Sequence, residues 1–121
     1  MAARILIVDD ELGIASAVQM RLEMEGYQAS IVTDGQAAIE QAREDHPSLI
    51  LLDVMIPKID GMEVCRVLKT APKTRDIPII MLTVMSQVRD LEKAFANGAN
   101  DYLFKPFQFE QLLLKVRRFV K

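Results

Sequence analysis

Residues 49–53 read Leu-Ile-Leu-Leu-Asp, a run of apolar side chains that ends at a carboxylate. A run of this length is typical of a strand that is covered on both faces, because both alternating sets of its side chains are apolar. Two similar runs occur, at 5–8 before a pair of acids that begins at Asp9, and at 79–82 before Thr83. Strands covered on both faces predict a parallel sheet with helices on either side.

Segments with helical spacing separate these runs. Ile14, Val18 and Leu22 recur at every fourth position, and Gly26 follows where a helix commonly ends. Further helices are predicted at 36–45 and at 61–70. Another is predicted around Val88, Leu91 and Phe95, with Ser86 as a candidate N-cap, and the last helix has an apolar face formed by Phe109, Leu112, Leu113, Val116 and Val120. Further strands are predicted at 27–32 and 102–104. The alternation βαβαβαβαβα predicts right-handed crossovers and a single doubly wound α/β domain over residues 1–121.

The composition is that of an ordinary globular chain. Its 121 residues are 50% hydrophobic and 26% charged with a formal net charge of −2, which gives no indication of nucleic-acid or membrane-surface binding. Cys65 and His46 each occur once, which excludes an internal disulfide and a cysteine-based zinc cluster. The first apolar run meets Asp9 too soon for a signal peptide or a membrane span, so we expect a cytoplasmic protein.

Polar side chains follow four of the predicted strands at the point where each strand ends. They are Asp9 and Asp10 after the first strand, Asp53 at the third, Thr83 at the fourth and Lys105 at the fifth. Because the carboxyl ends of parallel strands share one edge, we expect these side chains to line one cleft. Three carboxylates repel one another unless a cation lies among them, and oxygen ligands without His or Cys favour Mg²⁺. A carboxylate beside such an ion can attack phosphorus.

Each of these residues also has an ordinary structural explanation. Asp9 or Asp10 could cap the first helix, and Asp53 could be a turn residue. Thr83 could be a simple strand end, and Lys105 could belong to a solvated turn. The coincidence of all of them at one predicted edge favours a phosphoryl-transfer site.

Taken together, these motifs resemble the receiver domain of two-component response regulators over essentially the whole chain. The matching segments are IVDDE at 7–11, LDVMIP at 52–57 followed by Asp60-Gly61, LT at 82–83, GANDY at 98–102 and KPF at 105–107. The resemblance implies a flavodoxin-like (βα)₅ sheet with strand order 2-1-3-4-5. It also implies a phosphoacceptor signalling domain rather than a conventional enzyme.

The resemblance further implies the metal and phosphoryl chemistry. Asp53 would accept a phosphoryl group from a phosphohistidine on a sensor histidine kinase or phosphotransfer protein, with Mg²⁺ as the cofactor. Asp10 would bind Mg²⁺ directly and Asp9 mostly through water. The backbone carbonyl of Met55 would complete the protein ligands.

Signal output is implied in the same way. Lys105 and Thr83 would contact phosphoryl oxygens, Tyr102 would turn inward as Thr83 moves, and the Lys105–Pro106 peptide bond would be cis. The responsive surface would be helix 4, strand 5 and helix 5. It would control an output domain or effector protein and could support a homodimer, with no direct contact to nucleic acid.

The sequence departs from the family pattern at four positions. Val84 follows Thr83 where the family often has a smaller residue, which predicts slow phosphorylation by small donors. Met55 and Met85 offer no group to orient an attacking water, which predicts a long-lived phosphoryl state. Gln108 stands where Asp or Ser often caps the last helix, which predicts a weaker helix start.

Three alternative functions remain open. A haloacid-dehalogenase-type phosphatase also uses an Asp nucleophile, Mg²⁺, Thr and Lys, but carries its nucleophile on the first strand in an Asp-x-Asp pattern. An FMN carrier needs a phosphate loop where this chain has Asp9-Asp10-Glu11, whose charges would repel a phosphate. A receiver that acts only as a docking module, without phosphorylation, is compatible with Val84.

Overall fold

The computed structural model describes residues 2–84 and 88–120, and within them five strands and five helices alternate as predicted. The elements are β1 Arg4–Val8, α1 Leu12–Met24, β2 Gln28–Val32, α2 Gly35–Asp45, β3 Leu49–Asp53, α3 Gly61–Thr70, β4 Ile79–Val84, α4 Val88–Ala96, β5 Asp101–Lys105 and α5 Phe109–Phe119. Met85 and Ser86 lie outside the described residues. Among the described residues, none of the helices combines the length and apolar character needed to cross a bilayer.

The strands form one parallel sheet in the order β2-β1-β3-β4-β5, which confirms the predicted topology. Val8 lies opposite Leu52, and Val84 lies opposite Lys105, so the neighbouring strands end at nearly the same level. The chain order reverses between β1 and β3, and ligand sites of open α/β sheets lie beyond the carboxyl ends of strands at such a reversal. The sheet therefore places the polar strand ends at the expected position for a site.

Two buried clusters cover the two faces of the sheet. The α2–α4 cluster packs side chains of α2, α3 and α4 on strand residues such as Leu52 and Met81. The α1–α5 cluster packs α1 and α5 on strand residues such as Leu51 and Leu82. Successive strand residues point to opposite faces, so a strand between two helical layers must be apolar throughout. This requirement explains the unbroken runs in the sequence.

Several of the described helix ends follow local capping rules, whereas the start of α1 does not. Asp34 accepts a hydrogen bond from the backbone of Ala37 at 2.8 Å and so caps α2, and Gly26 adopts a φ of +95° just beyond α1. The reading of Asp9 or Asp10 as the cap of α1 is wrong, because the residue at that position is Glu11 and its side chain makes no cap hydrogen bond.

In the C-terminal half of the chain, three features bear on the predictions made from the sequence. Phe95 shares the apolar repeat of α4 but is 45% exposed. The backbone N–H of Gln108 donates to Oε1 of Gln111 at 3.0 Å, so Gln111 closes the first turn of α5 that the sequence predicts to be weak. The peptide bond between Lys105 and Pro106 is cis, as expected.

Candidate functional site

Three carboxylates meet at the carboxyl edge of the sheet. Asp9 and Asp10 follow β1 and Asp53 ends β3, and one oxygen of each lies within 4.8 Å of the others. Asp9 is 1% exposed and Asp53 is 6% exposed, whereas Asp10 is open to solvent. Oxygen donors with two buried members and one exposed member fit a hard divalent cation that keeps part of its water shell, as Mg²⁺ does.

The ammonium of Lys105 reaches this cluster from the end of β5. Its Nζ lies 2.7 Å from Oδ2 of Asp9, 3.0 Å from Oδ2 of Asp53 and 3.6 Å from Oε1 of Glu11. The lysine side chain is only 11% exposed. The single ammonium of Lys105 therefore faces the carboxylates of Asp9, Glu11 and Asp53. The cluster retains a net negative charge that a divalent ion would offset.

Burial and charge shift the pKa values of the central pair. Burial raises the pKa of Asp53, against hydrogen bonds from Lys105 and from the backbone of Met55 that lower it, and the charge of Asp9 adds to the rise. For Lys105, burial favours the neutral amine, but the bonds to Asp9 and Asp53 outweigh this and the pKa is raised. Lys105 therefore stays charged, while the negative charge of the buried Asp53 is only partly balanced by its neighbours.

Both oxygens of Asp53 have a partner within the protein. Oδ2 accepts from Lys105, and Oδ1 accepts from the backbone N–H of Met55 at 3.0 Å. Met55 lies in the loop between β3 and α3, and its side chain is 64% exposed. The loop that follows the carboxylate therefore folds back over it and fixes its orientation.

The end of β4 forms the wall beside Asp53. Thr83 is buried and lies opposite Phe104 on β5, with its hydroxyl 3.4 Å from the carbonyl of Val84. Val84 is 40% exposed and lies opposite Lys105. A hydroxyl and a branched apolar side chain thus border the same edge as the carboxylates.

The family model for the response regulator receiver domain matches residues 5–117. This chain belongs to the receiver domain family of response regulators. Receivers are signalling domains of two-component systems rather than conventional enzymes, and they bind Mg²⁺ at an acidic site. In this receiver, Asp9, Asp10 and Asp53 form a cluster of acidic side chains at the carboxyl edge of the sheet.

Named relatives support the assignment. The DNA-binding dual master transcriptional regulator RpaA of Synechocystis is 43% identical over 98% of this chain and 49% of that protein. The receiver domain of a histidine kinase from Syntrophus aciditrophicus superposes with a TM-score of 0.91 at 38% identity, over 98% of this chain and 90% of that one. The receiver of a sensor histidine kinase from Pseudomonas aeruginosa PAO1, with a magnesium ion coordinated in its active-site cleft, gives 0.89 at 31% identity, over 98% of both chains. This chain spans about half the length of the curated relatives it matches.

Tyr102 of this receiver packs against the α2–α4 cluster. Its half-buried ring makes edge contacts with Phe95 and Phe104 at centroid distances of 6.0 and 5.1 Å. The Nζ of Lys115 lies 5.3 Å from its centroid and donates to Asp101 at 3.0 Å. Phe104 contacts Tyr102 and is the residue opposite Thr83 in the sheet register, so it neighbours both candidate switch residues.

Sequence reasoning missed two features of the site. Glu11 supplies the third carboxylate near Lys105, although only its place beside the paired acids marks it in the sequence. Gly61 passes so close to β3 that a Cβ atom would lie 2.3 Å from the carbonyl oxygen of Asp53. Asp60-Gly61 is part of the motif that resembles the family, and the close approach gives its glycine a physical reason.

Proposed function

We propose that this receiver accepts a phosphoryl group on Asp53 from a phosphohistidine of a sensor histidine kinase or phosphotransfer protein. The observation that carries the proposal is the grouping of Asp9, Asp10 and Asp53 within 4.8 Å, with the ammonium of Lys105 at 3.0 Å from Asp53. A buried carboxylate between acids that suit a metal and a fixed ammonium has the charge pattern that phosphoryl transfer requires.

The donor set fits Mg²⁺. Asp10 and Asp53 would bind the ion directly, the backbone carbonyl of Met55 would add a third protein oxygen, and Asp9 would bind mostly through water. Bound Mg²⁺ supplies neutralisation of the charge on the transferred phosphoryl oxygens. The exposure of Asp10 supports this assignment, because Mg²⁺ retains several waters and needs a face open to solvent.

The side chains of the receiver carry out the transfer itself. One carboxylate oxygen of Asp53 forms a bond to phosphorus while the phosphorus–nitrogen bond of the phosphohistidine breaks, and the bonding electron pair stays on the imidazole nitrogen. Lys105 would then pair with a phosphoryl oxygen, and the hydroxyl of Thr83 would donate to another. Both groups lie at the edge of the sheet beside the acceptor.

The modification adds about −1.5 to −2 units of charge at a site that already holds excess negative charge. We propose that Thr83 moves toward the phosphoryl group, that Tyr102 turns inward, and that the surface of α4, β5 and α5 changes its population of states. This surface would act on an output domain or effector protein, or on a second copy of the chain. The DNA-binding activity named for RpaA would belong to such an output domain, with residues 1–121 forming one cytoplasmic receiver domain.

Phosphoryl labelling tests the proposal directly. Acetyl phosphate or a phosphorylated kinase should label the wild-type chain only when Mg²⁺ is present, and Asp53→Asn should abolish the labelling. Asp76→Asn is the matched control, because Asp76 is an exposed aspartate that pairs with His46 and precedes the opposite end of β4. Labelling of Asp53→Asn at full stoichiometry would overturn the assignment.

A further inference from the structure

The loop between β3 and α3, residues 54–60, rests against the first turn of α2. The backbone N–H of Gly35 donates to the carbonyl of Pro57 at 3.2 Å. The Nζ of Lys58 lies 3.5 Å from Oδ2 of Asp34, the residue that caps α2. A backbone hydrogen bond and an ion pair therefore join the loop to the start of the helix.

Gly35 leaves no room for a side chain at this contact. A Cβ atom on Gly35 would lie 2.0 Å from the carbonyl oxygen of Ile59 and 2.8 Å from its carbonyl carbon. These are backbone atoms, which cannot rotate away as the end of a flexible side chain can. Any larger residue must push the loop and the helix apart.

The same loop carries Met55, whose backbone N–H contacts the proposed phosphoacceptor Asp53. Its beginning is fixed by the bond from the N–H of Met55 to Asp53 and by the bond from the N–H of Val54 to the carbonyl of Leu82 at 3.0 Å. Its end is fixed by the N–H of Gly61, which donates to the carbonyl of Val54 at 2.9 Å. Because both ends are anchored, a displacement near Ile59 changes the path of the few residues that connect it to Met55.

We propose that Gly35 is a positioning residue for the metal site. By admitting the backbone of residues 57–59 to close contact with α2, it sets the loop so that the carbonyl of Met55 faces the carboxylates. Gly35 touches neither the metal nor the phosphoryl group and acts only through the loop. The inference rests on the proposed function, in which the carbonyl of Met55 is a Mg²⁺ ligand.

The test compares Gly35→Ala with Gly13→Ala, each measured by calorimetric titration with Mg²⁺ alone. A Cβ atom on Gly13 would meet nothing within 4 Å, so this variant controls for the change of glycine to alanine in a helix. We expect the dissociation constant for Mg²⁺ to rise about 10- to 100-fold in Gly35→Ala, the usual effect of disturbing a residue that supports a metal ligand. Gly13→Ala should bind Mg²⁺ as the wild type does.

Amide spectra without metal provide a second readout. In Gly35→Ala the amide signals of Met55, Ile56, Lys58 and Ile59 should shift more than those of Asp9 and Asp10, because the loop moves and the segment after β1 does not. If Gly35→Ala fails to fold, Lys58→Gln takes its place, since it removes the ion pair to Asp34 and retains the size of the side chain. Loss of one exposed ion pair should weaken Mg²⁺ binding about two- to fivefold.

The outcomes separate the positioning role from the proposed function. A folded Gly35→Ala, or in its place Lys58→Gln, that binds Mg²⁺ with wild-type affinity overturns the positioning role alone. A wild-type chain that binds Mg²⁺ but is not labelled on Asp53 contradicts the proposed function alone. A wild-type chain that binds no Mg²⁺ overturns both.

Discussion

Nζ of Lys105 lies 3.0 Å from Oδ2 of Asp53, with 11% of the lysine side chain and 8% of the aspartate side chain exposed. The two residues end β5 and β3, so this contact spans β4, the strand between them. Removing one member of a buried ion pair leaves the other charge without compensation. Lys105 also pairs with Asp9, so it keeps a partner when the charge of Asp53 is removed, whereas removing the ammonium leaves both buried carboxylates without compensation. Substitutions at the two ends should therefore have opposite effects on the free energy of unfolding.

Substitution of the cation should destabilise the metal-free protein. Lys105→Met leaves the buried carboxylates of Asp9 and Asp53 without their ammonium, and we expect the free energy of unfolding to fall by about 3 kcal/mol. Added Mg²⁺ should recover part of this loss, because it supplies positive charge to the same oxygens. Urea unfolding with EDTA and with Mg²⁺ measures both effects, and an unchanged midpoint in EDTA would contradict the prediction.

Substitution of Asp53, the proposed phosphoacceptor, should change the free energy of unfolding in the opposite direction. Burial raises the pKa of Asp53, so its ionised form costs folding free energy at neutral pH when no metal is bound. Asp53→Asn removes that charge and leaves Lys105 paired with Asp9. We expect the metal-free protein to gain on the order of 1 kcal/mol in urea unfolding. A loss of stability in EDTA would show that the pair with Lys105 outweighs the burial of the carboxylate.

Substitution of the exposed Asp10 should change the stability of only the metal-bound protein. Asp10 is open to solvent, so Asp10→Asn should change the metal-free free energy of unfolding by less than about 0.5 kcal/mol. The wild type should gain about 2.7 kcal/mol at a Mg²⁺ concentration 100-fold above the dissociation constant, and Asp10→Asn should gain far less. Asp76→Asn should retain the full gain, and an equal gain in Asp10→Asn would exclude Asp10 as a ligand.

Val84 should limit access to Asp53. The side chain is 40% exposed at the end of β4, directly opposite Lys105. We expect Val84→Ala to accelerate labelling by acetyl phosphate several-fold, because a smaller side chain opens the approach to the carboxylate. Met24→Ala, which shortens an exposed side chain at the end of α1, should label at the wild-type rate. Equal rates for Val84→Ala and the wild type would refute the steric explanation.

Cys65 should be unreactive and should impart a pH dependence to stability. The thiol is fully buried, and burial raises its pKa from 9.0 to about 11. Because the unfolded thiol ionises first, its contribution to stability is complete below pH 9 and is lost as pH rises toward 11. The slope should approach about 1.4 kcal/mol per pH unit within this window.

The matched variant for this measurement is Cys65→Ala, which lacks the thiol but retains the other alkaline groups. The difference between the two unfolding curves isolates the thiol, and parallel curves from neutral to alkaline pH would contradict the raised pKa. Native protein at pH 8 should also react with a thiol reagent only as fast as it opens, so the labelling rate should rise with urea.

The fold was largely predictable because its signals are local and repeated. Unbroken apolar runs such as 49–52 identified strands covered on both faces, and Gly26 marked the end of α1 correctly. Periodicity was less informative where helices pack at the edge of the sheet. Phe95 has core spacing yet is 45% exposed, and its ring contacts Tyr102 on β5, an edge strand whose residues are mostly half-buried.

The site was predictable as a set of residues but not as a set of contacts. Strand ends placed Asp9, Asp53 and Lys105 at one edge, since parallel strands bring their carboxyl ends together. The contact of Gly35 with Ile59 joins the start of α2 to the loop between β3 and α3, whose path no periodic pattern records. The third carboxylate near Lys105, from Glu11, depends on the path of the chain between β1 and α1 in the same way.

The two apolar clusters lie on opposite faces of the sheet, and alternate residues of one strand belong to different clusters. Distant sites without shared partners contribute additively to stability. The sheet therefore separates the two buried layers, and substitutions confined to the α2–α4 cluster should leave the packing beneath α1 and α5 unchanged. In engineering, substitutions in one cluster can therefore be combined with substitutions in the other, with nearly additive effects on the free energy of unfolding.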